Sequence, residues 1–268
     1  MVTRILHVSD LHVGARDDPV VEDGLVSLAE RVEPGLIIAS GDLTHRGRRT
    51  EHEQAAALLK SLGRPLLAVP GNHDIPYAFP ARLTTPWEEF ERQWQTTEPV
   101  HEAEGALVVG LNSVRPRRHQ SGGLTDAQLA RAEQRLRAAH PGALRMVVLH
   151  HQLVGPPWRT RQRVLARRDA VFAAFTAAGA ELIVGGHVHQ GSVAERREFA
   201  VDDNAAAAIV TTAPGLGQPR PHRLGEARGA LAYRVESASI AVDTYVWIGG
   251  MWELTAVRTF ARASTRLA

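Results

Sequence analysis

Cysteine is absent from the 268-residue sequence, and aromatic residues make up only 5% of it. The first absence excludes disulfide bonds, thiolate zinc fingers, iron–sulfur ligation by the chain and a cysteine nucleophile. No apolar run reaches the roughly 18 residues that a membrane-spanning helix requires. Residues 1–9 are too short an apolar stretch for a signal peptide and lead straight into Asp10. We therefore expect a cytoplasmic protein that makes no membrane contact.

The sequence also lacks an excess of charge of either sign. Its 31 basic and 29 acidic residues give a net charge of +2, which does not favour nucleic acid as a partner. Lys60 is the only lysine, so the basic residues are almost all arginine. Because alanine, glycine and proline are abundant too, this arginine content is typical of a base-composition bias, and an arginine-rich stretch alone indicates little. A hydrophobic content of 44% is typical of a globular protein.

Short apolar runs alternate with helical stretches over the first two thirds of the chain, which is typical of an α/β protein. The strands predicted there are 5–9, 36–40, 65–69, 107–112, 144–149 and 181–184, and the helices are 20–32, 50–62, 87–95, 125–139 and 169–178. The last third favours strands throughout, at 209–212, 230–235, 239–247 and 251–260. We expect this β-rich portion, about 205–262, to form a second sheet that packs on the first within a single domain, 1–268.

Side chains of the kinds that bind metals follow the predicted strands, at the point where each strand ends. They are Asp10 and His12, Asp42, Asn72 with His73 and Asp74, His150 and His151, and His187 and His189. In open α/β sheets, ligands bind outside the carboxyl ends of the strands. The sequence therefore predicts that these groups converge at one edge of the sheet.

These donors offer oxygen and nitrogen but no sulfur, which suits manganese, iron, zinc or a similar divalent ion. They are too many for one closed tetrahedral site, whereas two ions that share a carboxylate would use them all. Two metals about 3.5–4 Å apart clamp the attacking and leaving oxygens of an in-line displacement and activate water. Each motif alone has an ordinary explanation, such as a turn at Gly41-Asp42 or an Asx hydrogen bond at Asn72. Their order along the chain, each after a predicted strand, favours phosphoester chemistry.

The chain resembles the calcineurin-like metallophosphoesterase superfamily, whose motifs run Asp-x-His, Gly-Asp, Gly-Asn-His-Asp or -Glu, His, and Gly-His-x-His. All of these motifs occur in this order between Asp10 and His189. The stretch 111–124, which begins Leu-Asn-Ser and ends Gly-Leu, resembles the branch that contains class III cyclic nucleotide phosphodiesterases. The resemblance implies two mixed β-sheets packed face to face and flanked by helices, a four-layer α/β/β/α sandwich.

The resemblance also implies roles for single residues. The implied metal ligands are Asp10, His12 and His189 at one ion, Asp42 as the bridge, and Asn72, His150 and His187 at the other. A hydroxide that bridges the two divalent or mixed-valence ions would attack phosphorus. His73 would bind a phosphate oxygen or protonate the leaving group, and Asp74 would orient it.

Two histidine positions stay open on the sequence alone. Relatives often read His-His-Pro where this chain has His150, His151 and Gln152. His150 is preferred as the ligand because it comes first after the strand, and His151 is the alternative. His45 stands where many relatives carry an acid or an amide, and it is expected either to line the pocket or to lie at the surface.

Several segments could cover the metal edge. The aromatic residues of 75–100 would either stack on a nucleobase or fill a helix core, and they are Tyr77, Phe79, Trp87 and Trp94. The arginines of 153–168, mainly within Arg159–Arg168, would either hold a second phosphate or form a solvated face. The basic run Arg115–His119 has the same two interpretations. The proline-rich loop Pro214–His222 is expected to approach the site from the second sheet.

The preferred interpretation is a phosphodiesterase that hydrolyses small-molecule diesters, cyclic nucleotides or related compounds. The first alternative is a nuclease of the same superfamily, against which the small net charge of +2 argues. The second is a non-catalytic metal-binding scaffold, against which the complete ligand set argues. The sequence predicts neither the native pair among manganese, iron and zinc nor the oligomeric state.

Overall fold

The computed structural model describes residues 3–15, 20–103, 105–118, 120–154, 164–199, 208–217 and 226–262. Its strands are β1 (Thr3–Val8), β2 (Leu36–Ala39), β3 (Leu66–Ala68), β4 (Val100–Ala103), β5 (Ala106–Gly110), β6 (Leu144–Val148), β7 (Leu182–Gly185), β8 (Ser192–Glu195), β9 (Ile209–Thr212), β10 (Gly229–Val235), β11 (Ser239–Ile248) and β12 (Met251–Ala261). They form two mixed sheets of six strands each. The predicted pair of mixed sheets is thereby confirmed.

The helices lie between strands, as the alternating pattern predicts. They are α1 (Leu25–Val32, after a π-helical turn at Val20–Gly24), α2 (Arg49–Ser61), α3 (Ala81–Thr84), α4 (Glu88–Trp94), α5 (Asp126–Arg137) and α6 (Arg168–Ala177). α5 begins with a reciprocal capping box, in which Thr125 and Gln128 each satisfy the other's backbone N–H. Within the described ranges, no helix has the length and apolarity needed to cross a membrane.

The strand order of the first sheet is β12-β11-β10-β1-β2-β3, and that of the second is β4-β5-β6-β7-β9-β8. The expectation that 205–262 forms the second sheet is therefore wrong: β10, β11 and β12 extend the first sheet, and of that portion β9 alone among the described strands joins the second. β1 pairs with β2 in parallel on one side, and its other edge pairs antiparallel with β10, with Ile5 opposite Tyr233. The backbone N–H and C=O groups on both edges of a buried strand need hydrogen-bond partners. A hydrophobic pattern predicts that a segment is a strand, but it does not identify the neighbouring strands that supply those partners.

Apolar side chains fill the space between the two sheets and the space under the helices. Ile5, Ile38 and Val69 of the first sheet region pack with Met146 and Val184 of the second. The outer face of the first sheet packs on α1 and α2, and that of the second on α5 and α6. This layering fixes the two sheets against each other, so that loops from both sheets meet at one end.

A buried polar chain crosses this apolar interface. His7 Nδ1 lies 2.8 Å from the Tyr233 hydroxyl and His7 Nε2 lies 2.8 Å from Ser40 Oγ. The Tyr233 hydroxyl lies 2.7 Å from Thr211 Oγ1 in the second sheet. Burial lowers the pKa of His7 to about 3. The ring is therefore neutral in the folded protein at any pH near neutrality.

This histidine predicts loss of stability in acid. In the unfolded chain His7 is protonated below its ordinary pKa of 6.5, whereas in the folded protein it stays neutral down to a pKa of about 3. Protons therefore bind preferentially to the unfolded chain between these values, and the free energy of unfolding falls as the pH falls from 6.5 to about 3. From pH 7.5 to 5 the contribution of His7 is about 2 kcal/mol. Urea unfolding of the metal-free wild type and of the metal-free His7→Gln variant at both pH values checks this contribution. The variant is expected to lose less stability on acidification than the wild type. An identical loss in both proteins would contradict the assignment.

Candidate metal centre

The polar residues that follow the strands meet at one end of the two sheets, as predicted. Two loops of the first sheet are bonded to each other there: Asp10 N–H donates to the Gly41 carbonyl at 2.9 Å and His12 N–H to the Asp42 carbonyl at 3.0 Å. The backbone N–H of His187, from the second sheet, donates to Asp10 Oδ2 at 2.9 Å. The site is therefore assembled across the interface between the sheets.

Backbone conformation in these loops is unusual for residues other than glycine. Left-handed φ angles occur at Asp10 (55°), His12 (51°), Asp42 (50°), His187 (76°) and His189 (57°). Each such residue costs roughly 1–3 kcal/mol, and residues of this kind cluster at functional sites. Five residues with metal-binding side chains held this way indicate that side-chain placement, not local stability, governs these loops.

Two glycines allow the loops to approach each other closely. A Cβ atom on Gly186 would lie 1.8 Å from Ser9 Oγ and 2.6 Å from Asp10 Oδ2. A Cβ on Gly71 would lie 2.1 Å from the Asp42 backbone N. The glycines in the Gly-His-x-His and Gly-Asn-His-Asp motifs are therefore required by space as well as by turn formation.

The first donor group consists of Asp10, His12 and His189. His189 Nε2 lies 3.1 Å from His12 Nε2 and 3.4 Å from Asp10 Oδ1, and His12 Nε2 lies 4.0 Å from the same oxygen. Asp10 is fully buried, and its Oδ1 has no hydrogen-bond partner among the described residues. Three lone-pair atoms therefore face one small space.

The second donor group consists of Asp42, His150 and His187, with Asn72 beside it. His150 Nε2 lies 3.4 Å from Asp42 Oδ1, 3.3 Å from Asn72 Oδ1 and 3.2 Å from His187 Nδ1. His150 Nδ1 lies 2.8 Å from the Ser40 carbonyl, which can only accept, so Nδ1 carries the ring proton and Nε2 offers a lone pair. All seven sequence-predicted ligands are thus brought together.

Asp42 belongs to the second donor group, but it lies on the side that faces the first. One of its carboxylate oxygens is directed to each group. Its Oδ2 is 3.9 Å from His12 Nε2, and its Oδ1 is 3.4 Å from His150 Nε2. Oδ1 also accepts a hydrogen bond of 2.8 Å from the His73 backbone N–H, which fixes the carboxylate. This is the placement that a shared ligand of two ions needs.

Electrostatics favour the metal-binding protonation states of His12, His187 and Asp42. Burial lowers the pKa of His187 to about 3 and holds the pKa of His12 well below its usual range. Burial works against ionisation of Asp42, yet His150, His73 and His12 together hold its pKa well below the usual value. Burial also opposes charge on His150, but Asp42 raises the pKa of that ring to about 9. In the metal-free protein His150 is therefore protonated near neutral pH, and a cation that binds Nε2 has to displace that proton. Neutral His12 and His187 beside an ionised Asp42 suit divalent cations without such a step.

One unsatisfied atom also fits such cations. Asp10 Oδ1, a member of the first donor group, is buried and has no hydrogen-bond partner among the described residues. Buried polar atoms without a partner are rare in folded proteins. Oxygen and nitrogen donors of this kind, with no sulfur present, fit two manganese, iron or zinc ions, one at each donor group.

His73 lies beside the two donor groups, but Asp74 does not orient it. His73 Nδ1 lies 2.7 Å from the His45 carbonyl, which therefore receives the ring proton. The Asp74 carboxylate accepts hydrogen bonds from Gly71 N–H at 2.7 Å and from Thr44 N–H and Oγ1 at 2.8 and 2.9 Å. The expected Asp74–His73 pairing is thus a wrong prediction. Spacing of one residue on a turn points the two side chains in different directions, and Asp74 holds the turn instead.

His45 and His151 occupy different surroundings. The His45 ring lies 6.2 Å from the His12 ring and 6.0 Å from the His73 ring, so it lines the pocket. His151 Nδ1 lies 2.8 Å from Ser113 Oγ, and its ring packs 4.7 Å from the His187 ring. His151 therefore stands behind the donor groups. Ser113 lies in the stretch 111–124 noted in the sequence, but only the tertiary contacts show that it supports His151.

The two adjacent histidines are expected to differ in metal binding. His150→Ala removes a nitrogen of the second donor group, so we expect loss of one metal per chain and a fall in activity of at least about a hundredfold. His151→Ala removes a neighbour of that group and is expected to leave two metals bound. Metal content after reconstitution and dialysis, measured by plasma mass spectrometry, distinguishes them. Loss of one metal from the His151 variant alone would reverse the assignment.

The aromatic residues of the covering segment divide between the surface and the core. Tyr77 and Phe79 are 59% and 72% exposed. Trp94 packs on the core, with its ring 6.2 Å from the tilted ring of Phe90, so it belongs to the helix core. The described part of the proline-rich loop, 214–217, does reach the site, since a Cβ on Gly215 would lie 2.5 Å from the imidazole of His189.

Parts of three predicted segments lie outside the described residues. They are Trp158, Arg159, Arg161 and Arg163, His119, and 218–222 of the proline-rich loop.

The chain is similar to proteins of known family. It is 29% identical over 210 residues to a probable cyclic nucleotide phosphodiesterase of a Synechococcus strain, which covers 73% of this chain and 77% of the relative. A match at 34% identity to the DNA double-strand break repair protein Mre11 of Saccharolobus solfataricus spans 89 residues, 28% of this chain and 23% of the relative. The structure of a dimetal phosphatase from Danio rerio superposes with a TM-score of 0.66 at 14% identity, covering 97% of this chain and 99% of that one.

The sequence model of one family matches most of the chain. It is that of the calcineurin-like phosphoesterases, and it matches residues 3–191, which include every residue of both donor groups. The order of the motifs, the two-sheet fold and this match agree. The chain belongs to the calcineurin-like phosphoesterase family.

Proposed function

We propose that the protein is a two-metal phosphodiesterase that hydrolyses small-molecule diesters, with cyclic nucleotides as the first substrates to test. The position of Asp42 between two complete donor groups carries the proposal. The similarity to a probable cyclic nucleotide phosphodiesterase over 73% of this chain supports the diester specificity. The exposed Tyr77 and Phe79, which follow the His73-Asp74 turn, would offer faces on which a nucleobase can stack.

The proposed ligands are Asp10, His12 and His189 at one ion, Asp42 at both, and Asn72, His150 and His187 at the other. When bound, two divalent cations supply Lewis acidity, activating water and neutralising charge on phosphoryl oxygens. The backbone N–H of His73 holds Asp42 Oδ1 at 2.8 Å and so fixes the carboxylate between the groups.

His73 is the proposed proton donor to the leaving group. Its Nδ1 is anchored on the His45 carbonyl at 2.7 Å, and its ring lies 4.9 Å from the ring of His12. Anchoring at Nδ1 orients the ring and leaves Nε2 as the nitrogen that exchanges a proton with substrate. In the imidazolium form Nε2 carries a second proton, with which the ring either donates a hydrogen bond to a phosphate oxygen or protonates the departing alkoxide.

Turnover on a substrate panel with added manganese tests the proposal. The panel contains 3′,5′-cyclic AMP, 2′,3′-cyclic AMP, bis(p-nitrophenyl) phosphate, glycerophosphodiesters and single-stranded DNA. We expect turnover of the small diesters to exceed that of DNA. A preference for DNA would favour the nuclease alternative, and absence of turnover with every divalent metal would favour the scaffold.

A further inference from the structure

A concave pocket lined by arginine side chains lies at the end of the second sheet that also carries the donor groups. Its volume is about 520 Å³, within the usual range for small-ligand pockets. The charged residues that line it are Arg115, Arg117, Arg118 and Arg167, and no carboxylate lines it among the described residues. Leu83 and Leu124 supply apolar walls.

A tight turn holds three of these arginines together. The Arg118 backbone N–H donates to the Arg115 carbonyl at 2.8 Å, which closes the turn around Pro116 and Arg117. Arg115 Nη2 donates to the Gln128 amide oxygen at 2.7 Å, a neutral partner. Burial lowers the pKa of Arg115 and the charge of Arg118 lowers it further, while Glu98 acts in the opposite direction. Glu98, which itself pairs with Arg131, therefore offsets the repulsion between Arg115 and Arg118.

Among the described residues, few carboxylates lie within ion-pair distance of the arginines that line the pocket. Within the described residues, neither Arg117 nor Arg118 has a carboxylate within ion-pair distance. Arg167 pairs with Asp126 at 2.7 Å, but both side chains are exposed, and such pairs contribute little. The pocket thus presents guanidinium groups that an incoming anion can bind.

A fifth, buried guanidinium stands behind the pocket wall. Arg82 is 5% exposed, and its Nε donates to the carbonyl of Pro116, a pocket residue, at 3.0 Å. Its Nη1 lies 3.4 Å from the Pro76 carbonyl, and its Nη2 is buried without a partner among the described residues. A buried cation without a carboxylate is costly to a fold. Its cost is reduced when an anion occupies the neighbouring pocket.

The pocket adjoins the metal centre through a pair of glycines. Gly123 lines the pocket, and a Cβ on the preceding Gly122 would lie 2.3 Å from the His151 ring. That ring packs 4.7 Å from His187 of the second donor group. Arg82 also follows the His73 turn closely in sequence and contacts it through Pro76. The Gly122–Gly123 segment and the His151 ring are therefore what separates this pocket from the second donor group.

We propose that this arginine pocket binds a second anionic group of the substrate, so that the enzyme prefers phosphodiesters that carry a further phosphate outside the scissile bond. Guanidinium groups bind phosphate oxygens in bidentate geometry, which gives orientation as well as charge. The inference rests on the proposed phosphodiesterase function and narrows its substrate class.

A pair of dinucleotides that differ only in a terminal phosphate tests the proposal. We expect kcat/KM for 5′-phosphorylated ApA to exceed that for ApA at least tenfold in the wild type. Arg117→Ala with Arg118→Ala is expected to lower that ratio at least tenfold, mainly through KM. Arg135→Ala with Arg137→Ala on the exposed face of α5 removes the same charge and is expected to leave the ratio unchanged. Equal kcat/KM for both dinucleotides in the wild type, or an unchanged ratio in the Arg117/Arg118 variant, would overturn the proposal.

A binding measurement separates this inference from the proposed activity. Calorimetric titration of the metal-free proteins with inorganic pyrophosphate is expected to show affinity at least tenfold weaker in the Arg117/Arg118 variant than in both the wild type and the Arg135/Arg137 control. Equal affinities in all three would overturn the pocket. If neither dinucleotide nor bis(p-nitrophenyl) phosphate is turned over, the phosphodiesterase function fails, and the titration still decides whether the pocket binds an anion.

Discussion

Asp42→Asn is expected to lower turnover of bis(p-nitrophenyl) phosphate by at least about a thousandfold, equivalent to ~4 kcal/mol of transition-state stabilisation. Asp42 is buried and places its two oxygens 3.4 Å from His150 Nε2 and 3.9 Å from His12 Nε2. The amide removes the charge that would be shared by two cations. It keeps an oxygen that can accept from the His73 backbone N–H, so we expect the fold to survive.

Steady-state kinetics with manganese, metal content and thermal unfolding monitored by circular dichroism together check this prediction. Asp23→Asn, at an exposed carboxylate beside α1, is the matched control and is expected to behave as the wild type. We expect the Asp42 variant to bind fewer metals per chain at an unchanged far-ultraviolet spectrum. Normal turnover by the Asp42 variant would contradict its place between the two ions.

His73→Ala is expected to impair alkyl diesters about a hundredfold while p-nitrophenyl diesters lose less than tenfold. General acid catalysis contributes about 10²–10⁴-fold, and it matters most when the leaving group is a poor one. p-Nitrophenolate departs without a proton, whereas an alkoxide needs one. Since His73 is anchored by the His45 carbonyl and is not a member of either donor group, metal content is expected to stay at the wild-type level.

The measurement is kcat/KM for a series of diesters that differ only in the pKa of the leaving alcohol. The slope of log kcat/KM against that pKa is expected to become steeper in the His73 variant. His101→Ala, at a half-buried histidine of β4, is the control. Parallel lines for the variant and the wild type would count against His73 as the acid and leave it a binding contact for the phosphate.

Much of the architecture could be predicted because the residues that decide it are local. Apolar runs bounded by turn residues correctly marked the buried strands, including β1, β2, β6 and β7. β4 and β8 were not predicted, because both are short strands at the edges of the second sheet with few buried side chains. An edge strand that buries little has little hydrophobic pattern to reveal it.

The donor set was predictable for a related reason. Each proposed ligand comes two to four residues after a strand, and parallel strands bring the residues at their carboxyl ends to one edge of the sheet. The supporting contacts were not predictable. Nothing in the sequence marks the Ser40 carbonyl as the acceptor for His150, and the same holds for His45, whose carbonyl rather than Asp74 holds His73. Backbone acceptors are common to every residue, so only their placement distinguishes them.

By itself, the sequence determined the chemical types of the donors, their order along the chain and the alternating strands that carry them. Only the tertiary structure decided that β10 joins β1, that Asp42 lies between two donor groups, and that His150 rather than His151 faces it. It also decided that Arg115, Arg117 and Arg118 surround a pocket. The physical reason is the distance along the chain over which each property is set. Periodicity and turn chemistry depend on a few neighbouring residues. The pairing of strands, the direction in which buried side chains point and the convergence of charges depend on residues far apart in the chain.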